Sequence, residues 1–396
     1  MIVRKIALNG FRNYDFETAE FSPGTNVICG PNAQGKTNLL EAVYMLSTGR
    51  SFRTRFDREL IGFGCDGADL LAEVSSHDRE QTVNLRMQNG RPKRILVNAV
   101  KKNASELSQV VNTVLFCPDD LNLIKEGAAV RRRLMDNAIS QIRPRYAELL
   151  SDFNKLYENK TRILKDWREK PSLLDTLDDF SDGMARVSAQ LIRYRAAYAK
   201  RLDEAAAPIH RDFSDGNEEL EIVYKTVSSV TDPFAPAKEI YYEICEHQER
   251  HRQAELDSAQ CLTGAHKDDL EIAINGRPAR AFASQGQTRT AALSVKLAER
   301  EILLKETGEY PVLLLDDVLS ELDQRRQEFV LNRIGGGQTL ITCCEDEGIS
   351  SRTGGRVLFV QNGRIRWCIC IWARAASSTT ARSSGSLTWT SPASRI

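Results

Sequence analysis

No stretch of this chain approaches the roughly 20 consecutive apolar residues that a membrane helix needs. Its start, MIVRKIALNGFRNY, has neither a long apolar core nor a small-residue cleavage site, so neither a membrane span nor a signal peptide is expected. Net charge is also missing, because Lys+Arg and Asp+Glu number 54 each. A chain without overall charge has no long-range pull on nucleic acid, so any such surface has to be local. The nine cysteines (29, 65, 117, 245, 261, 343, 344, 368 and 370) form no CxxC pair. That argues against a zinc ribbon or a disulfide framework and points to a reducing, cytoplasmic setting. Acidic residues stop after Glu347, and three of the four tryptophans, Trp367, Trp372 and Trp389, fall in the Ser-, Thr-, Ala- and Arg-rich end of the chain. Past about Ile365 the composition reads as a disordered extension or an altered reading frame.

What is present is an ordinary globular composition, 396 residues with 41% hydrophobic and 27% charged, enough for two domains. Residues 1–118 read as strands with short loops: IALNGFRNYDFETAEF and RILVNAV alternate, and NTVLFCP is a buried-strand candidate. One helix interrupts them after a glycine loop. Residues 119–260 carry apolar residues at helical spacing on a charged background and predict two or three long helices, with Pro171 and Pro208 near breaks. Residues 261–366 return to mixed α/β, with DLEIAINGRPAR as a hairpin turning at Asn275-Gly276. Residues 367–396 form the atypical tail. The expected fold is therefore α/β, a mixed sheet around a glycine-loop core, split by an inserted α-helical arm of about 140 residues.

VICGPNAQGKTNLL passes from an apolar strand through a loop into a helix and fits G-x-x-x-x-G-K-[ST]. In that pattern the loop residues Gly30, Pro31, Asn32, Ala33, Gln34 and Gly35 offer backbone N–H groups to phosphate. Lys36 reaches the outer phosphates and the Thr37 hydroxyl ligates Mg²⁺. VLLLDD (312–317) is a buried strand ending in two carboxylates. Asp316 is placed to hold Mg²⁺ and Asp317 to act as the base that orients water. SQGQTR begins 32 residues before Asp316 and opens a helix. Ser284, Gln285, Gly286 and Gln287 either cap that helix or supply a second phosphate-seeking helix start, as expected for a nucleotide clamped between two protomers. In LSELD (319–323), Asp323 either caps a helix or places the segment at a dimer interface.

Glycine loop, SQGQ, LLLDDVLSELD and the long helical gap resemble the ATP-binding-cassette head of the chromosome-maintenance and recombination ATPases. Within that group, LNGFRNYDFETAEFSPGTNVICGPNAQGKTNLLEAVYMLSTGRSFRT is similar to the start of the RecF family, as are LFCPDDLNLIKEGAAVRRRLMDNAI, TGAHKDDLEIAING and SQGQTRTAALSVKLAE, over about residues 1–365. The resemblance implies a DNA-repair mediator that binds duplex or gapped DNA with ATP. It also implies dimerisation on ATP, slow hydrolysis and partnership with RecR and RecO. It places Arg12 and Asn13 near the nucleotide. Asp-Asp stands where the superfamily commonly has Asp-Glu, and TLITCCED lacks the switch His of the transporters; both argue for slow turnover. Cys343 and Cys344 stand where the family often has Thr.

Arg50, Arg53, Arg55 and Arg58, then Arg91, Lys93 and Arg94, then Lys101 and Lys102, repeat positive charge in the first region. They are DNA-phosphate candidates or a solvated charged face. His247 and His251 share a helix face, and solvent exposure is expected of them rather than metal binding. A transporter subunit is disfavoured by the long arm and the missing His, and a small-molecule kinase or GTPase by SQGQ.

Overall fold

The computed structural model describes residues 1–227, 229–346 and 348–367. The expectation of disorder or a shifted frame falls almost wholly on residues outside that set, although Arg366 and Trp367, just past Ile365, belong to a strand. The chain opens with β1 (Ile2–Phe11), β2 (Tyr14–Glu20), β3 (Thr25–Cys29) and α1 (Lys36–Thr48), followed by β4 (Gly67–Ser76), β5 (Arg79–Gln88), β6 (Arg91–Val97), β7 (Val100–Lys102) and β8 (Thr113–Phe116). Next come α2 (Ala128–Ile142), α3 (Pro144–Asp166), α4 (Leu177–Phe213), β9 (Leu220–Lys225) and α5 (Ala237–Ser258). The remainder is β10 (Asp269–Ile274), β11 (Arg277–Pro278), α6 (Ala279–Phe282), α7 (Gln285–Thr307), β12 (Val312–Asp316), α8 (Gln324–Arg333), β13 (Thr339–Cys343), α9 (Ile349–Thr353), β14 (Arg356–Gln361) and β15 (Arg364–Trp367).

Two six-stranded sheets build the head. One is antiparallel, in the order β2-β1-β4-β5-β6-β7; the other, β15-β14-β3-β13-β12-β8, is parallel except for β15. The sequence dictates the difference. β4 alternates buried and exposed residues, as a strand with one wet face must. TVLF, VLLLD and TLITC are buried at every position, as parallel strands covered on both faces must be. α1 lies between the sheets: Leu39, Leu40, Val43 and Met45 pack with Ile6, Leu70 and Leu85 on one side and Ile28, Leu314 and Leu340 on the other. Leu293, Leu303 and Val330 of α7 and α8 cover the far face of the parallel sheet.

Among the described residues, four helices of 15 to 37 residues fill the stretch where two or three are predicted. Pro208 does not break α4 but lies inside it, close to its C-terminal end. The buried stripe Leu191, Ile192, Arg195, Tyr198, Ala199, Leu202, Ala206, Ile209 and Phe213 runs past it, so packing offsets the one missing backbone bond. The same stretch holds β9, which pairs antiparallel with β10, a strand hidden between helical patterns. The β10–β11 turn has φ of 52° at Asn275 and 71° at Gly276, the left-handed pair its sequence predicts. His247 is not solvent-exposed. It falls on the buried stripe Ile240, Ile244, His247, Gln248 of α5, with Nδ1 2.6 Å from Thr263 Oγ1.

His266 packs on Tyr157 (ring centroids 4.7 Å apart), and its Nε2 donates to the Cys261 carbonyl at 2.9 Å. Burial, opposed by the Cys261 hydrogen bond and helped by the cations Lys267 and Arg132, pushes its pKa from 6.5 down to about 4. The folded ring therefore stays neutral. Above pH 6.5 this costs nothing; between there and about pH 4 the unfolded chain takes up a proton that the folded one refuses. Stability should fall by roughly 3 kcal/mol at most across that window, and burial of His210 and His247 acts in the same direction. Urea unfolding at pH 7, 5 and 4 checks this: H266Q should lose less stability between pH 7 and pH 4 than the wild type.

Candidate functional site

β3 delivers the glycine loop from the centre of the parallel sheet, between β13 and β14. Two of its glycines are required by their surroundings. A Cβ at Gly30 would sit 2.1 Å from the Val360 carbonyl oxygen, and one at Gly35 (φ 117°) 2.8 Å from the Asn13 amide. Lys36 begins α1 and is buried, its Nζ donating to the Gly30 and Pro31 carbonyls at 2.6 and 2.9 Å. The cation thus folds back over the loop where a phosphate would otherwise be met, and the first-turn N–H groups of α1 open onto the same place.

Beneath the loop, Asp316 ends β12. Its Oδ1 accepts from the hydroxyls of Thr37 and Thr342, each at 2.9 Å. Burial raises its pKa, opposed by those two hydroxyls. A desolvated carboxylate beside a threonine hydroxyl is an oxygen donor set that suits a small hard cation. Asp317 follows with φ of 51°, held by its amide donating to Thr342 Oγ1 at 2.8 Å and by Ser320 Oγ donating to its carbonyl at 2.7 Å and to its Oδ1 at 3.2 Å.

Arg12 and Asn13 form the β1–β2 turn against this loop. Asn13 Nδ2 donates to the Gln34 carbonyl at 2.9 Å, and the tip of the β14–β15 hairpin closes on the same residue, with the Asn362 amide 2.6 Å from Gln34 Oε1. Arg12 makes a bidentate pair with the fully buried Glu41 of α1 at 2.7 and 2.8 Å. Arg53 stands 3.8 Å from the same carboxylate.

The segment 284–287 is bonded elsewhere. Ser284 and Gln287 form a reciprocal capping box at the start of α7, and the Gly286 carbonyl accepts from Arg326 at 3.0 Å. Arg326 also pairs with Asp323, which caps α8 through the Arg326 amide. Ser284 and Asp323 both cap their helices, the plainer of the two readings open for each. The structure therefore gathers Gly30–Thr37, Arg12, Asn13, Asp316 and Asp317, and sets Ser284–Gln287 on a separate set of partners.

The basic residues divide. Arg50, Arg53 and Arg55 line a cleft of about 1980 Å³ that Arg132, Arg133, Arg145, Thr37 and Asp316 also line, along with the acidic Asp119, Asp120 and Asp152. Arg58 stacks over the exposed Phe56. Lys93 is paired with Asp57 at 2.6 Å, Lys102 with Glu106 at 2.7 Å, and Arg91 donates to Gln88; Arg94 and Lys101 are exposed. Arg131 is spent internally on Asp269. Cys343 Sγ lies 3.3 Å from Cys29 Sγ beneath the loop, and the exposed Cys344 donates to Asn32 Oδ1 at 3.0 Å. Sequence reading missed Glu41, Thr342 and Gln34's link to Asn362. Only the helical register of Glu41 among apolar neighbours gave any sign.

Residues 2–363 match the family model described as the RecF/RecN/SMC N terminal domain. The chain is 39% identical over 362 residues to the DNA replication and repair protein RecF of Acetivibrio thermocellus, covering 91% of this chain and 98% of that one. It is also 39% identical over 371 residues to the protein of that name from Bacillus mycoides, covering 92% and 98%. Among solved structures, the recombination mediator protein RecF-ATPrS superposes with a TM-score of 0.86 at 35% identity, covering 92% of this chain and 98% of that one. An Smc head bound to a ScpA domain, 16% identical, shares the head fold at a TM-score of 0.56, covering 95% and 100%. Fold, motifs and likeness over nearly the whole described length agree that the chain belongs to the RecF family.

Proposed function

We propose that this protein binds ATP with Mg²⁺ on its glycine loop, closes on a second copy whose Ser284–Gln287 segment completes the site, and grips DNA in repair and replication. The observation that carries the reading is the Thr37–Asp316–Thr342 constellation under the loop, paired with a signature segment that makes its contacts away from its own loop. The RecF-ATP structure similar to this chain, with a TM-score of 0.84, supports the choice of nucleotide.

On this reading Lys36 leaves the Gly30 and Pro31 carbonyls for the outer phosphates, and Thr37 and Asp316 hold the metal. Mg²⁺, when bound, draws off charge developing on the phosphates. Asp317 orients water as the base, and its short side chain, without a switch histidine nearby, keeps turnover slow. Arg12 and Asn13 brace the loop, Arg12 through Glu41. Residues 119–260 act as a lever on the head formed by 1–118 and 261–366. Arg50, Arg53 and Arg55, which share the cleft with Arg132 and Arg133, meet DNA phosphates, with Arg58, Arg91, Lys93 and Arg94 as further contacts. RecR and RecO are the partners through which a recombinase is loaded, in the cytoplasm at the nucleoid.

A titration of duplex, single-stranded and gapped DNA with ATP, ADP and no nucleotide, at one fixed salt concentration, tests this. Affinity with ATP should exceed that with ADP by at least about tenfold; equal affinities in all three states would overturn the clamp.

A further inference from the structure

The Gln287 side chain has two tasks at once. Its Oε1 accepts the Ser284 amide at 2.9 Å, closing the capping box, and its Nε2 donates to Glu218 Oε1, also at 2.9 Å. An amide can satisfy both only in one orientation. A carboxylate accepts and cannot donate, so Glu218 forces the Nε2 end towards itself and the Oε1 end towards Ser284. Glu218 is itself held on both sides. Its Oε2 lies 3.1 Å from Nε2 of His210, a fully buried residue of α4, and its amide donates to Ser214 Oγ, at the C-terminal end of α4, at 3.1 Å. Burial lowers the His210 pKa, so a neutral ring with hydrogen on Nε2 faces the carboxylate. The negative charge also lies beside the first turn of α7, where the helix dipole favours it.

We infer that Glu218 is a positioning residue that sets Ser284–Gln287 for its role across the dimer, linking the end of α4 to the start of α7. This rests on the proposed closing of two copies on ATP. Loss of the carboxylate leaves the Gln287 Nε2 end without its acceptor and the side chain without its anchor, so Oε1 holds the Ser284 N–H less firmly and the capping box loosens. The cis half of the site, Lys36, Thr37 and Asp316, has no bond to Glu218 and keeps its own geometry.

The test uses the full chain with Glu218→Ala, Glu218→Gln, Gln287→Glu and the Glu218→Gln/Gln287→Glu double variant. Hydrogen exchange without nucleotide reads the segment directly: the amides of Ser284 and Gln287 should exchange about tenfold faster in E218A, the scale of one lost charge-assisted hydrogen bond. E218Q should fall between the wild type and E218A, because a single amide oxygen cannot accept from both Gln287 Nε2 and His210 Nε2. Q287E places two carboxylates together and should behave like E218A; the double variant reverses donor and acceptor and should restore protection. Sedimentation with ATP should show E218A needing about ten times more ATP for half-maximal dimer, with the affinity of the monomer for labelled ATP changed less than about twofold. Unchanged exchange in E218A, or no rescue in the double variant, overturns the inference. A wild type that stays monomeric with ATP overturns the dimer reading and with it the trans role, while the exchange data still decide whether Glu218 orders the segment.

Discussion

Asp317→Asn should accumulate an ATP-bound dimer. Hydrolysis should slow at least about 100-fold, the usual contribution of a positioned base, while ATP binding stays close to that of the wild type. The geometry makes Asn the right replacement. Asp317 sits at φ 51°, a left-handed conformation that Asn adopts readily and most other residues resist. The backbone bonds to Thr342 and Ser320 do not involve the carboxylate charge, so they survive. What disappears is the ability to take a proton from water. Size-exclusion chromatography with ATP and Mg²⁺ reads the result, and a protein that elutes only as monomer would remove the main support for the clamp. Alanine at this position would mix the chemistry with backbone strain and decide less.

Lys36→Ala should abolish ATP binding at working concentrations and take ATP-stimulated DNA binding with it. Removing one partner of a buried charge pair costs about 2–5 kcal/mol, so ATP affinity should fall by roughly 30-fold to a few thousand-fold. The same change strips the Gly30 and Pro31 carbonyls of their donor, which should lower stability without nucleotide by only about 1 kcal/mol. Fluorescent-nucleotide titration and a melting curve separate the two effects. If DNA binding in K36A still responds to ATP, the loop has been misassigned and nucleotide acts from another place.

The parts of the site legible in sequence are those that lie consecutively along the chain. A phosphate loop is eight adjacent residues, and an apolar run ending in Asp316-Asp317 announces both its burial and its exit point. Glu41 looks like any acidic residue on a helix until Arg12, brought by a β-turn, meets it. Thr342 looks like one more strand residue until β13 falls beside β12 and turns its hydroxyl to Asp316. Glu218 lies in a connection of no distinctive composition, and only the packing of α4 against α7 gives it a partner. β9 was obscured because six alternating residues between long helices carry little signal. Pro208 does lie near the end of α4, but the apolar stripe carries the helix past it to Phe213, which local propensity alone does not show. For His247, too, the helix face and not the residue type decides burial. Most charges in the first region were legible only as a total, since Lys93 and Lys102 turn out to be neutralised by neighbours while Arg50 and Arg55 are not buried.

The strand that carries the glycine loop has both of its sheet neighbours, β13 and β14, in the last part of the described chain, at Thr339–Cys343 and Arg356–Gln361. During synthesis, β3 therefore leaves the ribosome long before anything can pair with it. At about 5–20 residues per second the wait is on the order of 15–60 seconds. Throughout that interval VIC and the apolar face of α1 have only the β1–β2 and β4–β7 layer for cover. A nascent chain of this kind is an obvious client for a chaperone, and a ribosome that stalls before β13 releases a head that cannot assemble its loop. Stop codons anywhere before β14 should therefore yield insoluble fragments rather than a smaller working protein.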